Sequence, residues 1–142
     1  MTFDEASKLI RKGHTINLSK ELQDGLSPDL ENQNSWTLLM IAAMEGNTTI
    51  GSLLIDRGAE LDRRNNFHDT ALSLAAHTGH ASIVDLLLRR GASLQCHPFG
   101  NTFEDWLNWA SRYGRCSKRI REIFEKERKI RAERDRALDQ LM

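Results

Sequence analysis

Residues 65–94 read NNFHDTALSLAAHTGHASIVDLLLRRGASL, and residues 32–61 read NQNSWTLLMIAAMEGNTTIGSLLIDRGAEL. Laid over one another, Thr37 meets Thr70, Ala42 meets Ala75, Gly46 meets Gly79 and Gly58 meets Gly91, each pair 33 residues apart. A fixed period of this length means one supersecondary unit used again, with neighbours stacking to bury a shared core. Within each copy, a threonine precedes a short apolar run, a glycine ends it, and a second apolar run closes on Gly-Ala. That grammar is two helices joined by a turn: Leu38 to Met44 with Thr48 to Asp56, then Thr70 to Thr78 with Ser82 to Arg90. The Leu53-Leu54 and Leu86-Leu87 pairs read as helix-pair core.

The period extends in both directions. Gly13 lies 33 before Gly46, and Gly25 lies 33 before Gly58. Phe3, Ala6, Leu9 and Ile10 share one helical face, and Ile16, Leu18 and Leu22 form a second short stripe. Residues 1–33 therefore read as a degenerate N-terminal capping repeat, followed by full repeats at 34–66 and 67–98. On the C-terminal side, Phe99-Gly100-Asn101-Thr102 restores the tip-and-threonine pattern. Ala110 and Gly114 fall 35 residues after Ala75 and Gly79, so about one turn is inserted. This fourth unit, 99–124, reads as the second cap, with Trp106 and Trp109 covering the open end of the core. Residues 125–142 read as a charged helix, the continuation of a last helix that begins at Lys118 with Ile120, Ile123 and Phe124 on one face. The first turns of that helix are expected to dock and its end to project or fray.

The pattern T-x-L-x-x-A-A-x-x-G-x-x-x-I-x-x-L-L-x-x-G-A resembles the ankyrin repeat, over about residues 4–124 and with high specificity over 34–94. The resemblance implies an all-α solenoid of stacked helix-turn-helix units, here with an extended C-terminal helix. It also implies loops that project at right angles, and a concave surface of loop tips and inner helices that binds other proteins. Two departures stand out. The family's T-P-L-H reads TLLM at Thr37–Met40 and TALS at Thr70–Ser73, so its bracing histidine is absent and Ser73 is left to replace part of that bonding. The tip glycine is replaced by Ser35 and His68 and survives only as Gly100. The resemblance also assigns His80 to a backbone hydrogen bond in the turn.

Carried over position by position, the family's variable surface residues fall on Asn34, Trp36, Met44 and Glu45, then on Phe67, Asp69, His77 and Thr78. In the last unit they fall on Phe99, Asn101, Arg112 and Tyr113. Large aromatics at loop tips supply contact area at small entropic cost, the character of interface anchors. Trp36 reads as such an anchor. Phe67 and Phe99 read equally as anchors and as shields folded over the loop bases.

Composition sets the remaining bounds. At 142 residues the chain is one domain's worth, with 39% hydrophobic residues and a formal net charge of zero. The charge is unevenly placed: residues 1–111 hold nine basic and fourteen acidic groups, and residues 112–142 hold eleven and six. The longest apolar run, Leu38 to Met44, is far short of the ~20 residues that span a bilayer. With no basic, apolar leader after MTFDEASK and only Cys96 and Cys116, the expectation is a reduced cytoplasmic protein, complete in itself and monomeric when free. His77, His80 and the Cys96-His97 pair do not offer the three or four convergent ligands a zinc site needs. No phosphate loop, nucleophile elbow or dinucleotide turn occurs, so neither catalysis nor a cofactor is expected. The basic C-terminal helix is the best case for nucleic acid. Glu122, Glu125, Glu127, Glu133 and Asp135 interleave with its cations, however, which weakens net phosphate neutralisation and favours a solvated helix.

The sequence thus points to a non-enzymatic module that binds another protein through a concave face. Its concrete version is an inhibitor that covers a partner enzyme, in the manner of an immunity protein neutralising a toxin. Nucleic-acid binding, or self-assembly through Ile130, Leu138 and Leu141 of the last helix, is the alternative.

Overall fold

A computed structural model of the chain describes residues 1–95, 102–113 and 117–142. It is all-helical: α1 (Phe3–Arg11), α2 (Thr15–Gln23), α3 (Leu38–Glu45), α4 (Thr48–Asp56), α5 (Ala71–His77), α6 (Ala81–Arg89), α7 (Phe103–Arg112) and α8 (Lys118–Leu141). Odd-numbered helices form an inner row, with α1 against α3 and α3 against α5. Even-numbered helices form an outer row, with α2 against α4, α4 against α6 and α6 against α8. The core lies between the rows, and Ala42, Ala43, Ala75, Ala76 and Ala110 keep the inner helices close.

Each inner helix begins in the same way. The hydroxyls of Thr2, Thr37, Thr70 and Thr102 accept hydrogen bonds from the amides of Glu5, Met40, Ser73 and Asp105, at 3.3, 3.2, 3.2 and 3.1 Å. The N3 side chain answers by accepting from the threonine amide: Glu5 Oε2 at 2.8 Å, Met40 Sδ at 3.4 Å, Ser73 Oγ at 2.9 Å and Asp105 Oδ2 at 3.1 Å. Two of the orphan donors at each helix start are satisfied in this reciprocal box. Ser73 thus does take over local bonding, by closing the cap of its own helix. At Glu5 the bond from the Thr2 amide also holds the carboxyl below its ordinary pKa.

The repeats are stitched by bonds that recur with the same period. Asp29 Oδ1 accepts from the Glu60 amide at 2.8 Å, and Asp62 Oδ1 accepts from the Ser93 amide at 2.8 Å. Gly46 ends α3 with φ +68°, and the His80 ring of the next repeat lies over it. A Cβ there would fall 2.4 Å from that ring, so backbone strain and close approach both require glycine. His80 makes a backbone hydrogen bond in the turn, its amide donating to the Ala75 carbonyl at 2.9 Å, and its ring Nδ1 lies 2.9 Å from the Thr78 hydroxyl, which itself donates to the Leu74 carbonyl at 2.8 Å.

The fourth unit packs through α7 and the start of α8. Phe103 and Phe124 are buried and meet edge to face with ring centroids 5.5 Å apart. Trp106 stacks on Phe103 at 5.7 Å and is 6% exposed, closing the core as expected. Trp109 does not. It is 46% exposed, because it lies on the α7 face turned away from the core. Helix α8 is continuous across residue 124, and docking continues to Arg131, which donates to the Leu88 carbonyl at 2.8 Å and pairs with the buried Glu127 at 3.1 Å. Residues 132–142 are exposed throughout.

Candidate functional site

The loop tips are built by two asparagines that sequence reasoning passed over. Asn32 Oδ1 accepts from the amides of Asn34 at 2.9 Å and Trp36 at 3.0 Å. Its periodic partner Asn65 does the same for Phe67 at 2.9 Å and Asp69 at 3.0 Å. Between them, Ser35 and His68 adopt φ +60° and +64°, the left-handed conformation that a tip glycine takes at no steric cost. The Asn66 amide donates to the Asn34 carbonyl at 3.0 Å, joining one tip to the next. Four of the expected surface residues are therefore held on tightly bonded turns. The signal was present in the sequence as the 33-residue spacing of Asn32 and Asn65.

On these turns the side chains divide. Phe67 stands out at 62% exposure, whereas Trp36 is half-buried and packs against the core. Asn34 is exposed, and Asp69 is half-buried with Oδ1 accepting from the Ser73 hydroxyl at 3.4 Å. At the end of α3, Met44 is 37% exposed and Glu45 forms a loose, solvated ion pair with Arg11 at 3.8 Å, a contact of small energetic value. At the end of α5, the exposed His77 ring lies 6.3 Å from Trp106, and Thr78 turns its hydroxyl onto the helix. In the fourth unit Arg112 is exposed, and Tyr113, 62% exposed, lies 5.3 Å from Trp109. Phe99 and Asn101 lie outside the described residues, as do Cys96, His97 and Gly100.

Two groupings result. Toward the N-terminus, a cleft of about 290 Å³ has α1 as one wall, which presents Phe3, Asp4, Ser7 and Arg11. The tip residues Asn34 and Trp36 and the α3 residues Ile41 and Met44 also line it. Toward the C-terminus, His77, Trp106, Trp109 and Tyr113 make an aromatic strip along the inner row. Phe67 stands on the tip between.

The rest of the surface offers less. No group of three or more His, Cys, Asp or Glu residues among the described residues has metal-ligating geometry, and no described helix is long and apolar enough to cross a membrane. On α8, Lys118 and Arg128 pair with carboxylates, and Arg121 donates to the Leu107 carbonyl at 2.9 Å. Arg119, Lys126, Lys129 and Arg134 keep no carboxylate partner among the described residues.

A family model described as ankyrin repeats, in three copies, matches residues 6–98. The chain belongs to the ankyrin-repeat family. Repeats of this kind are generally protein–protein interaction modules and are typically non-enzymatic. A search of curated proteins finds no match.

Proposed function

We propose that the protein binds a partner protein through the face formed by its loop tips and inner-helix ends, and that it acts by covering that partner. The observation that carries this reading is Phe67. The repeat does not need an aromatic ring there for its core, yet one stands 62% exposed on a turn whose backbone is fixed by Asn65. Rigid, exposed aromatics lose little entropy on contact and act as anchors. Met44, His77, Trp109 and Tyr113 continue the apolar character along the same row. The inhibitory version, including neutralisation of a toxic enzyme, is supported by the small size of the module and by the acidic excess of residues 1–111. Such an excess favours encounter with a basic surface.

The test is capture of the partner by the tagged chain, read by mass spectrometry. Trp36→Ala with Phe67→Ala should abolish capture while helical circular dichroism is unchanged. Phe67→Glu alone should do the same with no disturbance of Trp36, which packs against the core. Retained capture by both variants moves the site elsewhere. If the captured partner is an enzyme, stoichiometric addition should suppress its turnover; unchanged turnover rejects the inhibitory role and leaves the binding role standing.

A further inference from the structure

The row of loop tips is tied by a main-chain bond that stops one step short of its N-terminal end. The Asn66 amide donates to the Asn34 carbonyl at 3.0 Å, which joins the second tip to the first. One period earlier the same bond would run from the Gln33 amide to the Met1 carbonyl. It does not form, and the Gln33 amide meets no acceptor among the described residues. The reason lies in α1. Its cap, Thr2, stands 35 residues before Thr37, although Gly13 stands 33 before Gly46. The chain is thus already entering a helix where the later repeats are still in a tip. Between the start of α1 and the first tip lies an open slot of about 500 Å³, lined by Thr2, Phe3, Asp4 and residues 31–34. The tip beside it is held in shape: Glu31 and Thr37 form an antiparallel bridge at its base, and Asn32 Oδ1 accepts from the Asn34 and Trp36 amides. Gln33 itself is exposed, so water satisfies its amide in the free chain and a carbonyl can take the place of that water.

We propose that this edge is a strand-addition site, where an extended segment of the partner protein lies in the slot and one of its carbonyls accepts from the Gln33 amide. The inference rests on the protein-binding reading above and names how one part of the partner is held. An unpaired main-chain donor on the fixed edge of a row of extended segments is a template for one more. The bond from Asn66 to Asn34 shows that such an amide, one repeat further on, takes a main-chain carbonyl. Recognition is therefore of backbone conformation before side chain. A helical segment does not fit, because its carbonyls are engaged within the helix. The charged residues of the lining, Asp4 and Glu31, are both acidic, with Arg63 reaching Glu31 only at 3.6 Å in a half-exposed pair. A neutral or basic segment suits the slot better than an acidic one.

The probe is acetyl-Lys-Thr-Val-Thr-Lys-amide, whose β-branched residues favour an extended backbone, titrated into the full chain. Its control, acetyl-Lys-Ala-aminoisobutyryl-Ala-Lys-amide, carries the same charge, but its central residue is held to helical angles. The readout is the Gln33 amide in proton–nitrogen NMR spectra. The extended peptide should move that amide proton downfield, saturably and on the order of millimolar concentration. The control should bind about tenfold more weakly, the scale of one hydrogen bond. Gln33→Ala keeps the main-chain donor and should bind as the parent does, whereas Gln33→Pro removes it and should fall to the level of the control. If Gln33→Pro disturbs the turn, seen as displaced Asn34 and Trp36 amides, the downfield movement in the parent chain still decides. Equal response to the two peptides, shifts centred on Phe67 or Tyr113, or an unmoved Gln33 amide overturns the strand-addition site. Partner capture that is lost in Phe67→Glu would still support the protein-binding reading in that event, so the two ideas fail separately.

Discussion

Ser35 and His68 sit at φ +60° and +64° where the repeat ordinarily has glycine. A side chain in that region costs about 1–2 kcal/mol, and glycine returns part of the gain through its larger unfolded-state entropy. Ser35→Gly and His68→Gly should therefore each raise stability by about 0.5–1 kcal/mol, read as an increased urea midpoint at constant slope. Unchanged or lowered midpoints would mean that the side chains hold the turns in ways the backbone angles do not express. The sequence made the substitutions visible but not their consequence, because the turns are held by Asn32 and Asn65 rather than by the tip residue. The same limit applies at the N3 position. The missing family histidine was legible; that methionine, serine, aspartate and glutamate would each close the same box was not, since their only common property is an acceptor atom within reach of one amide. Trp36 and Phe67 show the limit for the site. Both are aromatics in tip loops, yet one tucks against the core and the other stands in solvent, a choice that two residues of register decide.

Helix α8 shows where periodic reasoning stops at the level of an element. Ile120, Ile123 and Phe124 announced docking of the first turns, and the thinning of apolar residues after them suggested an end that projects or frays, without marking where the packed portion stops. Docking continues through a polar contact: Arg131 joins Glu127 and reaches the Leu88 carbonyl in the last turn of α6, which also accepts from the Gly91 amide at 3.1 Å. Hydrophobic spacing carries no trace of such a bond. Arg131→Ala should destabilise the protein by about 1–3 kcal/mol, because it also leaves Glu127 buried without its cation. Hydrogen exchange gives a second check: amides of residues 120–131 should exchange slowly and those of 133–141 quickly. Slow exchange to the end of the helix would contradict a projecting tip.

Across the whole molecule, the 33-residue period made the architecture readable because each unit contacts only its neighbours, so local rules add up to the fold. Function is not periodic. It resides in what differs between equivalent positions, and one sequence displays those differences without saying which are used. The division of charge is a case in point. Several cations of residues 112–142 pair within the protein, with Glu122, Glu125 and Glu127 of the same segment and with Glu104 of the acidic body, which leaves Arg119, Lys126, Lys129 and Arg134 scattered along α8 without a carboxylate partner among the described residues. Along the inner row Phe67, Trp109 and Tyr113 stay exposed. The central claim is that a partner protein sits on this row, and hydrogen exchange of the complex with the captured partner tests it most directly. Binding should slow exchange in the tips and inner-helix ends, at residues 34–45 and 67–78, and leave the outer helices α2 and α4 unchanged. Protection confined to the outer helices or to α8, with the tips unaffected, would contradict it.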